Sequence, residues 1–322
     1  MDYRKLGKWG IKLSTIGLGS WLTSGTTIEQ SENDELIHYA YDSGINFFDT
    51  ANVYALGEAE VVVGKSLKQI KRDSLVLATK VFFPMGNGPN DKGLSRKHIF
   101  EQCHLSLKRL NTDYIDLYQC HRFDSEVPLY ELVKAMDDLT RAGKILYWGV
   151  SEWQASQIEE VTNIALQLHA MPPISNQPCY NLLHRTIENE IIPTCEKLGV
   201  GQVVFSPLAQ GILTGKYKPN QPLPKDSRAS NDKINMFLKG RNHLDNEVLT
   251  AVEKFACLAK EYNTTAASLA LAWCLRHKNV TSTIIGATST NQINENIKAS
   301  NLKLTDDLVK TAQDILKPFA NF

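Results

Sequence analysis

Short apolar runs alternate with longer segments of helical periodicity along most of the chain. The runs are rich in β-branched and aromatic residues, which favours strands. Eight of them predict strands over residues 14–19, 46–49, 75–79, 114–120, 146–150, 174–177, 202–206 and 283–285. The segments between them repeat apolar residues every three or four positions and predict helices over residues 33–42, 58–67, 96–110, 129–141, 154–168 and 187–198.

This alternation of strand and helix constrains how the strands pair. Consecutive strands joined by a crossover helix lie parallel, and eight such units are the number that closes a barrel. We therefore predict an α/β fold, a (β/α)8 or TIM barrel, as a single domain over residues 1–322. The Gly-Leu-Gly at residues 17–19 does not extend to the fingerprint of an open dinucleotide-binding sheet, so that fold is not indicated.

Two segments interrupt the alternation. Residues 3–12 place a Gly-Lys-Trp-Gly turn between short alternating stretches, which predicts an N-terminal β-hairpin ahead of the barrel. Residues 211–248, after the seventh strand, are polar and contain Pro219, Pro222 and Pro224. Because this connection is far longer than is usual in compact domains, we expect a lid or a disordered stretch.

Composition and charge narrow the possible partners. Lys+Arg and Asp+Glu both number 35, so no net field draws the molecule to nucleic acid or to an anionic membrane. No apolar run approaches the roughly 18 residues of a membrane helix, and the first residues lack a secretory apolar core. We expect a cytoplasmic protein, not inserted in a membrane, that acts on a small molecule.

The cysteines give no sign of a disulfide framework or a metal site. They form no C-x-x-C pair, and no pair of histidines has zinc-site spacing. We expect them to be buried thiols of a reducing compartment, and we expect no bound metal. The six are Cys103, Cys120, Cys179, Cys195, Cys257 and Cys274.

Polar residues stand where the predicted strands end. In a (β/α)8 barrel the active site lies at the C-terminal ends of the strands, so these side chains share one rim. Three successive strands lead to a carboxylate, an ammonium and an imidazole, and four later strands end at polar residues or glycine. The residues are Asp49, Lys80, His121, Ser151, Gln177, Ser206 and Gly286.

A tyrosine joins this rim. Tyr54 follows Asp49 by five residues, in the loop above the same strand. A phenol has an ordinary pKa of about 10, and a nearby ammonium such as Lys80 lowers it by favouring the phenolate. Asp49 would keep a buried Lys80 charged. The sequence thus predicts a phenol whose pKa is lowered for proton transfer.

At these residues the chain resembles the aldo-keto reductase family. Its tetrad of Asp, Tyr, Lys and His matches Asp49, Tyr54, Lys80 and His121 in type, order and approximate spacing, and the resemblance covers nearly the whole chain. The amino-acid sequences of several segments are most similar to those of the branch that contains voltage-gated potassium channel beta subunits and their bacterial and plant relatives. These segments are residues 3–7, 93–98, 206–209, 215–217 and 286–288.

The resemblance implies NADP(H), bound extended across the barrel mouth. It assigns Ser151 and Gln177 to the nicotinamide carboxamide and Phe205 to the nicotinamide face. It also makes the long loop a clamp over the cofactor. The full set of implied contacts is Ser20, Trp21, Asp49, Ser151, Gln177, Phe205, Ser206, Pro207, Leu208, Lys216, Arg228, Gly286, Thr288, Gln292, Glu295 and Asn296.

The phosphates of the cofactor need separate contacts. The segment 286–292 leads from a strand into a helix, and a helix N-terminus binds phosphate through its free N–H groups. The resemblance places the 2′-phosphoadenosine end there. It assigns Lys216 and Arg228 to the phosphates, and Gln292, Glu295 and Asn296 to the adenosine.

The expected reaction is reduction of an aldehyde or ketone. Hydride comes from the nicotinamide, Tyr54 gives a proton to the developing alkoxide, and His121 orients the oxygen. Aromatic side chains are candidate walls of an apolar substrate pocket: Trp21, Phe82, Phe83 and Trp153. The resemblance also suggests a homo-oligomer, a tetramer in the channel-subunit branch.

Three positions depart from the family pattern. The channel subunits have asparagine where this chain has His121, which favours a working reductase. Glu152 stands where many members have an asparagine that contacts the carboxamide. Phe205 replaces Trp or Tyr and keeps the ring without a polar group.

Two alternatives stay open. One is an NADP-loaded regulatory subunit with slow turnover, which reports redox state to a channel or another partner. The other is a metal-dependent barrel isomerase or hydrolase with Asp49 and His121 as ligands. The second is disfavoured, because no further histidine or carboxylate pair has ligand spacing.

Overall fold

The alternation of strand and helix closes into a barrel. The computed structural model describes residues 1–21, 24, 25, 28–225, 227–231, 235, 238 and 243–322. A two-stranded antiparallel hairpin, β1 (Tyr3–Lys5) and β2 (Lys12–Ser14), precedes the barrel. The eight barrel strands are all parallel, and the last pairs with the first. They are β3 (Ile16–Gly19), β4 (Phe47–Asp49), β5 (Val76–Val81), β6 (Ile115–Cys120), β7 (Ile145–Val150), β8 (Ser175–Asn176), β9 (Gly201–Val204) and β10 (Val280–Ile285). The predicted (β/α)8 fold and N-terminal hairpin are confirmed.

Helices surround this barrel. In the described residues they are α1 (Gln30–Asp42), α2 (Glu58–Leu67), α3 (Arg96–Leu110), α4 (Leu129–Arg141), α5 (Ala155–Gln167), α6 (Ile191–Leu198), α7 (Asn246–Glu261), α8 (Ala266–Leu275), α9 (Thr290–Ile297) and α10 (Asp306–Leu316). None of the helices described has the length and apolarity that crossing a bilayer requires.

Two apolar cores hold the layers together. The larger lies between the strands and the helices and includes Leu36, Val63, Met136 and Val161. The smaller fills the inside of the barrel, where Leu6 and Leu13 of the hairpin segment pack against inward side chains of the strands. The inward side chains are Phe47, Val76, Ala78, Leu117, Ile174, Val203 and Ile284. The hairpin therefore plugs one end of the barrel and leaves the opposite, C-terminal end for polar groups.

Local sequence signals explain several element ends. The Ser95 side chain accepts a hydrogen bond from the backbone N–H of His98 and caps α3. The same helix ends at Asn111, whose left-handed φ of 52° an asparagine tolerates. Between β7 and β8 the backbones pack so closely that a Cβ on Gly149 would lie 2.0 Å from Ser175 Oγ, so only glycine fits there.

Some boundaries differ from those predicted. Helix α6 starts at Ile191 and not at residue 187, because Pro193 has no N–H and fits only in a first helical turn. The last strand starts at Val280, three residues early, since polar Thr and Ser residues occupy its buried positions. Helices α7, α8 and α10 were not predicted. Residues 266–275 of α8 are buried on nearly all sides, so this helix lacks amphipathic periodicity.

The cysteine prediction is wrong at one position. Five of the six thiols are buried, as expected, but Cys257 is exposed on α7. The long insertion also differs in part from its prediction. It contains two short 3-10 turns, Ala209–Thr214 and Arg228–Ser230, and ends where α7 begins at Asn246. Residues 226, 232–234, 236, 237 and 239–242 of the insertion lie outside the described residues.

Candidate active site

Three of the four tetrad residues meet in one hydrogen-bonded cluster at the C-terminal end of the barrel. Asp49 ends β4, and Lys80 lies on β5, one residue before that strand ends. The Lys80 ammonium, fully buried, donates to Asp49 Oδ2 (2.5 Å), to the backbone oxygen of Thr50 (2.7 Å) and to the Tyr54 hydroxyl (3.2 Å). Lys80 thus links the carboxylate to the phenol.

The fourth tetrad residue faces the phenol. His121 follows β6 directly, and its ring centre lies 5.8 Å from that of Tyr54 in an edge-on arrangement. The four side chains that the sequence predicted to converge do lie together at one mouth. Their catalytic roles remain predictions.

A strained turn presents Tyr54 to this cluster. The 3-10 turn Tyr54–Gly57 follows β4, and the Tyr54 N–H donates to the backbone oxygen of Ala51 (3.1 Å). Ala55 and Leu56 have left-handed φ values of 48° and 51°, and Gly57 has a φ of 98°. Left-handed backbone costs a non-glycine residue roughly 1 kcal/mol or more. The surrounding structure must therefore hold the turn.

A buried ion pair supplies part of that support. Glu60, in the first turn of α2, is fully buried and accepts hydrogen bonds from Arg109 Nε (2.6 Å) and from Thr79 Oγ1 (2.5 Å). Thr79 is the neighbour of Lys80 on β5, and the Arg109 side chain packs against Gly57. Glu60 therefore fastens the turn that carries Tyr54 to the strand that carries Lys80. The sequence analysis missed this role.

The second oxygen of Asp49 is bonded as well. Its Oδ1 accepts from Gln177 Nε2 at 2.9 Å and, more weakly, from Gln119 Nε2 at 3.5 Å. Gln119 is fully buried, and its Oε1 accepts from Ser175 Oγ (3.4 Å). Sequence reasoning also missed Gln119, whose signal was an amide at an inward position two residues before His121. These contacts fix the orientation of the Asp49 carboxylate.

The pKa of Tyr54 shifts in the opposite direction to the one predicted. Burial is the largest effect and raises it; Lys80 lowers it, as expected, but not enough to offset burial, and the pKa of Tyr54 ends above its ordinary value of 10.0. The prediction of a lowered pKa is therefore wrong for the protein alone. Tyr54 is a protonated phenol at neutral pH.

Lys80 and His121 also have shifted pKa values. Burial lowers the pKa of Lys80, but the Asp49 carboxylate and the Tyr54 phenol outweigh it, so that the pKa is raised and the ammonium stays charged. Burial, with smaller effects from Lys80 and Arg122, holds the pKa of His121 well below 6.5. His121 is therefore neutral, and its Nδ1 is buried with no hydrogen-bond partner among the described residues.

The predicted pocket aromatics divide into two groups. Trp21 and Phe83 flank the tetrad, with ring centres 6.4 Å from Tyr54 and 4.9 Å from His121 respectively. Phe82 packs edge-on against Phe83 (5.3 Å). Trp153 is buried and packs against Phe123 (4.8 Å), so no contact links it directly to the tetrad.

The residues assigned to the nicotinamide end lie around the same mouth. Ser151 Oγ donates to the backbone oxygen of Gln177 (2.8 Å), which connects the two predicted carboxamide contacts. Phe205 is half-buried just beyond β9, and Ser206 follows with a left-handed φ of 53°. Glu152 accepts the backbone N–H of Cys179 (2.6 Å), so its carboxylate holds a loop.

The groove residues continue this wall. Ser20 Oγ donates to Thr50 Oγ1 (2.8 Å), next to the carbonyl that Lys80 contacts. Beyond Ser206, Pro207 is buried and Leu208 is half-buried. These side chains extend the polar mouth along the ends of β3 and β9.

A described residue of the long loop, Arg228, lies at the barrel mouth. The Arg228 guanidinium lies 4.8 Å from the ring centre of Trp21, and burial lowers its pKa to about 10. Lys216 is exposed, with its ammonium 5.1 Å from the ring centre of Tyr217. One cation of the insertion, Arg228, is thus held against an aromatic residue just beyond β3.

The segment that the resemblance assigns to the adenosine end of the cofactor contains the N-terminus of α9. Ser289 caps α9, and the Thr288 N–H donates to Gln292 Oε1 (2.9 Å). A Cβ on Gly286 would meet nothing within 4 Å, so the backbone there is open to a ligand. Glu295 pairs with Lys298, and Asn296 is buried. This open backbone and the loop cations fit an anionic dinucleotide.

No metal centre is evident in the described residues. No group of three or more His, Cys, Asp and Glu side chains is arranged there to hold a metal ion. Asp49 is committed to Lys80 and Gln177. The cluster therefore offers acid–base groups and hydrogen-bond donors.

Sequence comparison defines the class of this barrel. The model of the Aldo/keto reductase family matches residues 15–317. The chain belongs to the aldo/keto reductase family, which comprises oxidoreductases that generally use NAD(P)H.

Particular relatives have a more specific description. A "Probable voltage-gated potassium channel subunit beta" of Arabidopsis thaliana is 43% identical, over 93% of this chain and 91% of the relative. One with the same description from Oryza sativa subsp. japonica is 41% identical, over 98% and 97%. A "Putative voltage-gated potassium channel subunit beta" of Schizosaccharomyces pombe is 41% identical, over 98% and 93%. The predicted similarity to this branch is confirmed.

Proposed function

We propose that the protein is an NADP-dependent carbonyl reductase that converts aldehydes or ketones to alcohols. The observation that carries this proposal is the buried Lys80 ammonium, which bonds both Asp49 and the phenol of Tyr54 beside a neutral His121. A protonated phenol held by a cation can give up its proton in a low-dielectric site and leave a stabilised phenolate.

The side chains divide the work of proton transfer. The hydride that reduces the carbonyl carbon would come from NADPH when it is bound, with NADP+ as the oxidised product. Tyr54 donates its proton to the carbonyl oxygen, which yields the alcohol. Lys80 stabilises the phenolate left behind, and Asp49 keeps Lys80 charged. His121, neutral because its pKa is lowered, orients the oxygen by a hydrogen bond.

The cofactor assignment rests on the donors around the mouth. Ser151, Gln177 and Phe205 would hold the nicotinamide end, and the start of α9 would hold the adenosine end. By family resemblance Arg228 and Lys216 are cations for the phosphates, and a cation that contacts the 2′-phosphate, which NAD lacks, favours NADP over NAD. Titration with NADPH and NADH, followed by quenching of tryptophan fluorescence, tests this preference. Equal affinity for the two would contradict it.

The direct test of the reaction is Tyr54→Phe. Without the phenolic proton we expect carbonyl reduction to fall by roughly 100-fold or more, while NADPH binding persists because the ring remains. The measurement is loss of NADPH absorbance with a panel of aldehydes. Tyr130→Phe, at an exposed tyrosine of α4, is the matched control. Near-normal turnover by Tyr54→Phe would discard Tyr54 as the acid.

A second candidate function is an NADP-loaded regulatory subunit with slow turnover. The descriptions of the relatives favour it. His121 argues against it, since the channel subunits have asparagine at that position. Very slow turnover on every aldehyde, with co-purification of a membrane protein, would support this candidate.

We also propose a cytoplasmic location and, by family resemblance, a homotetramer. Light scattering on the purified protein, which measures the mass of the assembly, tests the homotetramer.

A further inference from the structure

The guanidinium of Arg122 lies beside the tetrad and has no part in the proposed reduction. Arg122 follows His121 directly and is half-buried. Its Nη1 donates to the backbone oxygen of His121 (2.5 Å), and its guanidinium carbon lies 5.4 Å from the ring centre of Phe83. The Phe83 ring contacts the His121 ring in turn. Arg122 therefore belongs to the same wall of the mouth as His121.

Arg122 forms no ion pair with the residues that the structure describes. Four of the other half-buried arginines each pair with a carboxylate: Arg72 with Asp116, Arg109 with Glu60, and both Arg185 and Arg276 with Glu188. Arg4, which is also half-buried, instead donates to three backbone oxygens. Within the described part of the chain, Arg122 has no carboxylate within salt-bridge distance. A partly desolvated cation without a counter-ion is unfavourable, so this position suits an anion from outside.

The charge also reaches the reacting groups. The positive charge of Arg122 contributes to lowering the pKa of His121 and opposes the rise in the pKa of Tyr54. An anion bound at Arg122 would therefore lie within electrostatic range of the proton donor.

We infer that Arg122 forms a carboxylate-binding subsite, and that the preferred substrates are aldehydes or ketones that carry a carboxylate group. The inference rests on the proposed reductase function. A guanidinium binds a carboxylate through two parallel hydrogen bonds, which fixes the orientation of the substrate. Phe83, between Arg122 and His121, would support the carbon skeleton that joins the carboxylate to the carbonyl.

The test compares an anionic aldehyde with its neutral ester. The two probes are 4-carboxybenzaldehyde and methyl 4-formylbenzoate, which share a para-substituted ring and differ in charge. We expect the wild-type protein to have a kcat/KM about 10-fold or more higher for the carboxylate, as one charge-assisted contact provides. In Arg122→Gln the ratio should fall to about one, and Arg122→Lys should keep part of the preference.

The ratio separates binding from other effects of the substitution. Any change in the pKa of Tyr54 or in folding alters turnover of both probes and leaves their ratio unaffected. Arg96→Gln is the matched control, because Arg96 also lies over a phenylalanine, Phe100, but pairs with Asp138. It should keep the wild-type ratio. NADPH affinity should also survive Arg122→Gln; its loss would instead make Arg122 a contact for a cofactor phosphate and overturn the subsite.

A binding measurement gives a readout besides activity. Calorimetry with benzoate and with benzamide, in the presence of saturating NADP+, should show that the wild-type protein binds benzoate more tightly and that Arg122→Gln loses the difference. Equal binding of the two, or equal reduction of both aldehydes by the wild-type protein, would overturn the subsite and leave the reductase proposal standing. Reduction of neither aldehyde would overturn the reductase proposal itself.

Discussion

Two regions of the molecule combine a tyrosine, a cation and a carboxylate, and they use the phenol in opposite ways. At the barrel mouth the three are Tyr54, Lys80 and Asp49. In the second cluster, Tyr180 and Glu188, which lie between β8 and α6, meet Arg276 at the end of α8. There the phenol donates to Glu188 (2.5 Å) and accepts from Arg276 (2.7 Å). Both functions of its hydroxyl are therefore used within the protein.

At the mouth only one function of the hydroxyl is used. Tyr54 accepts a hydrogen bond from Lys80, and none of the residues that the structure describes accepts its proton. Asp49 bonds Lys80 and Gln177 instead of the phenol. The presence of a tyrosine, a cation and a carboxylate therefore does not by itself make the tyrosine a proton donor. The carboxylate has to stabilise the cation without taking the proton of the phenol.

The largest expected effect comes from removing the cation of each cluster in turn. Lys80→Met leaves Tyr54 without a charge to stabilise its phenolate, and we expect kcat for aldehyde reduction to fall by roughly 100-fold or more. Arg276→Met should lower the melting temperature and keep kcat within about threefold of wild type. Steady-state kinetics and thermal melts on both variants check this. A large loss of kcat in Arg276→Met would show that the second cluster also contributes to catalysis, and would contradict the proposed difference between the two clusters.

A smaller effect concerns stability at low pH. Burial raises the pKa of Glu188, but the imidazole of His277 nearby (3.8 Å), hydrogen bonds from Arg185 and Tyr180 and the charge of Arg276 outweigh it and hold the pKa well below 4.5. A lowered folded-state pKa contributes stability that is present above the unfolded pKa and is lost as pH falls through the folded pKa. The wild-type protein should therefore lose stability progressively below about pH 4.5.

The matching variant is Glu188→Gln. At neutral pH it should lower the free energy of unfolding by about 2 kcal/mol, less than a fully buried pair would cost, because Glu188 is 15% exposed. Its stability should also depend less on pH in the acid range. Urea unfolding of both proteins between pH 3 and pH 7 measures the difference. Parallel pH curves for the two would show that Glu188 is not the group responsible.

The smallest expected effect is the pH dependence of the reaction. Between pH 6 and pH 9 the phenol keeps its proton because its pKa is raised above 10.0, and His121 stays neutral because its pKa lies well below 6.5. We expect kcat for reduction to change little between pH 6 and pH 9 and to fall only in more alkaline solution. A rate loss centred near pH 6.5 would mean that His121 titrates during the reaction.

Much of the fold was predictable because its signals are local. The apolar runs, the helical periods and the residues at strand ends depend on neighbours in the chain, and they predicted the barrel, the hairpin and the position of His121. Helix α8 was not predicted because burial on nearly all sides removes the polar face by which an amphipathic helix is identified in a sequence. The start of α6 shifted because Pro193 permits only one helical register.

The residues that support the site were harder to predict from the sequence. Glu60 looks like an ordinary acidic residue in a first helical turn, yet it contacts Arg109, which lies 49 residues away. Gln119 contacts Asp49 across 70 residues. No local pattern reports contacts of such separation. The family resemblance supplied the tetrad and the implied cofactor residues but did not identify these partners.

The sequence by itself determined the order of strands and helices, the single rim to which the strand ends lead, and the presence there of a phenol, an ammonium, a carboxylate and an imidazole. The tertiary structure decided the direction of the pKa shift of Tyr54, the neutrality of His121, and the position of Arg122 without a carboxylate partner in the described part of the chain. The physical reason is that desolvation and Coulomb interaction depend on distances between side chains that only the closed barrel brings together.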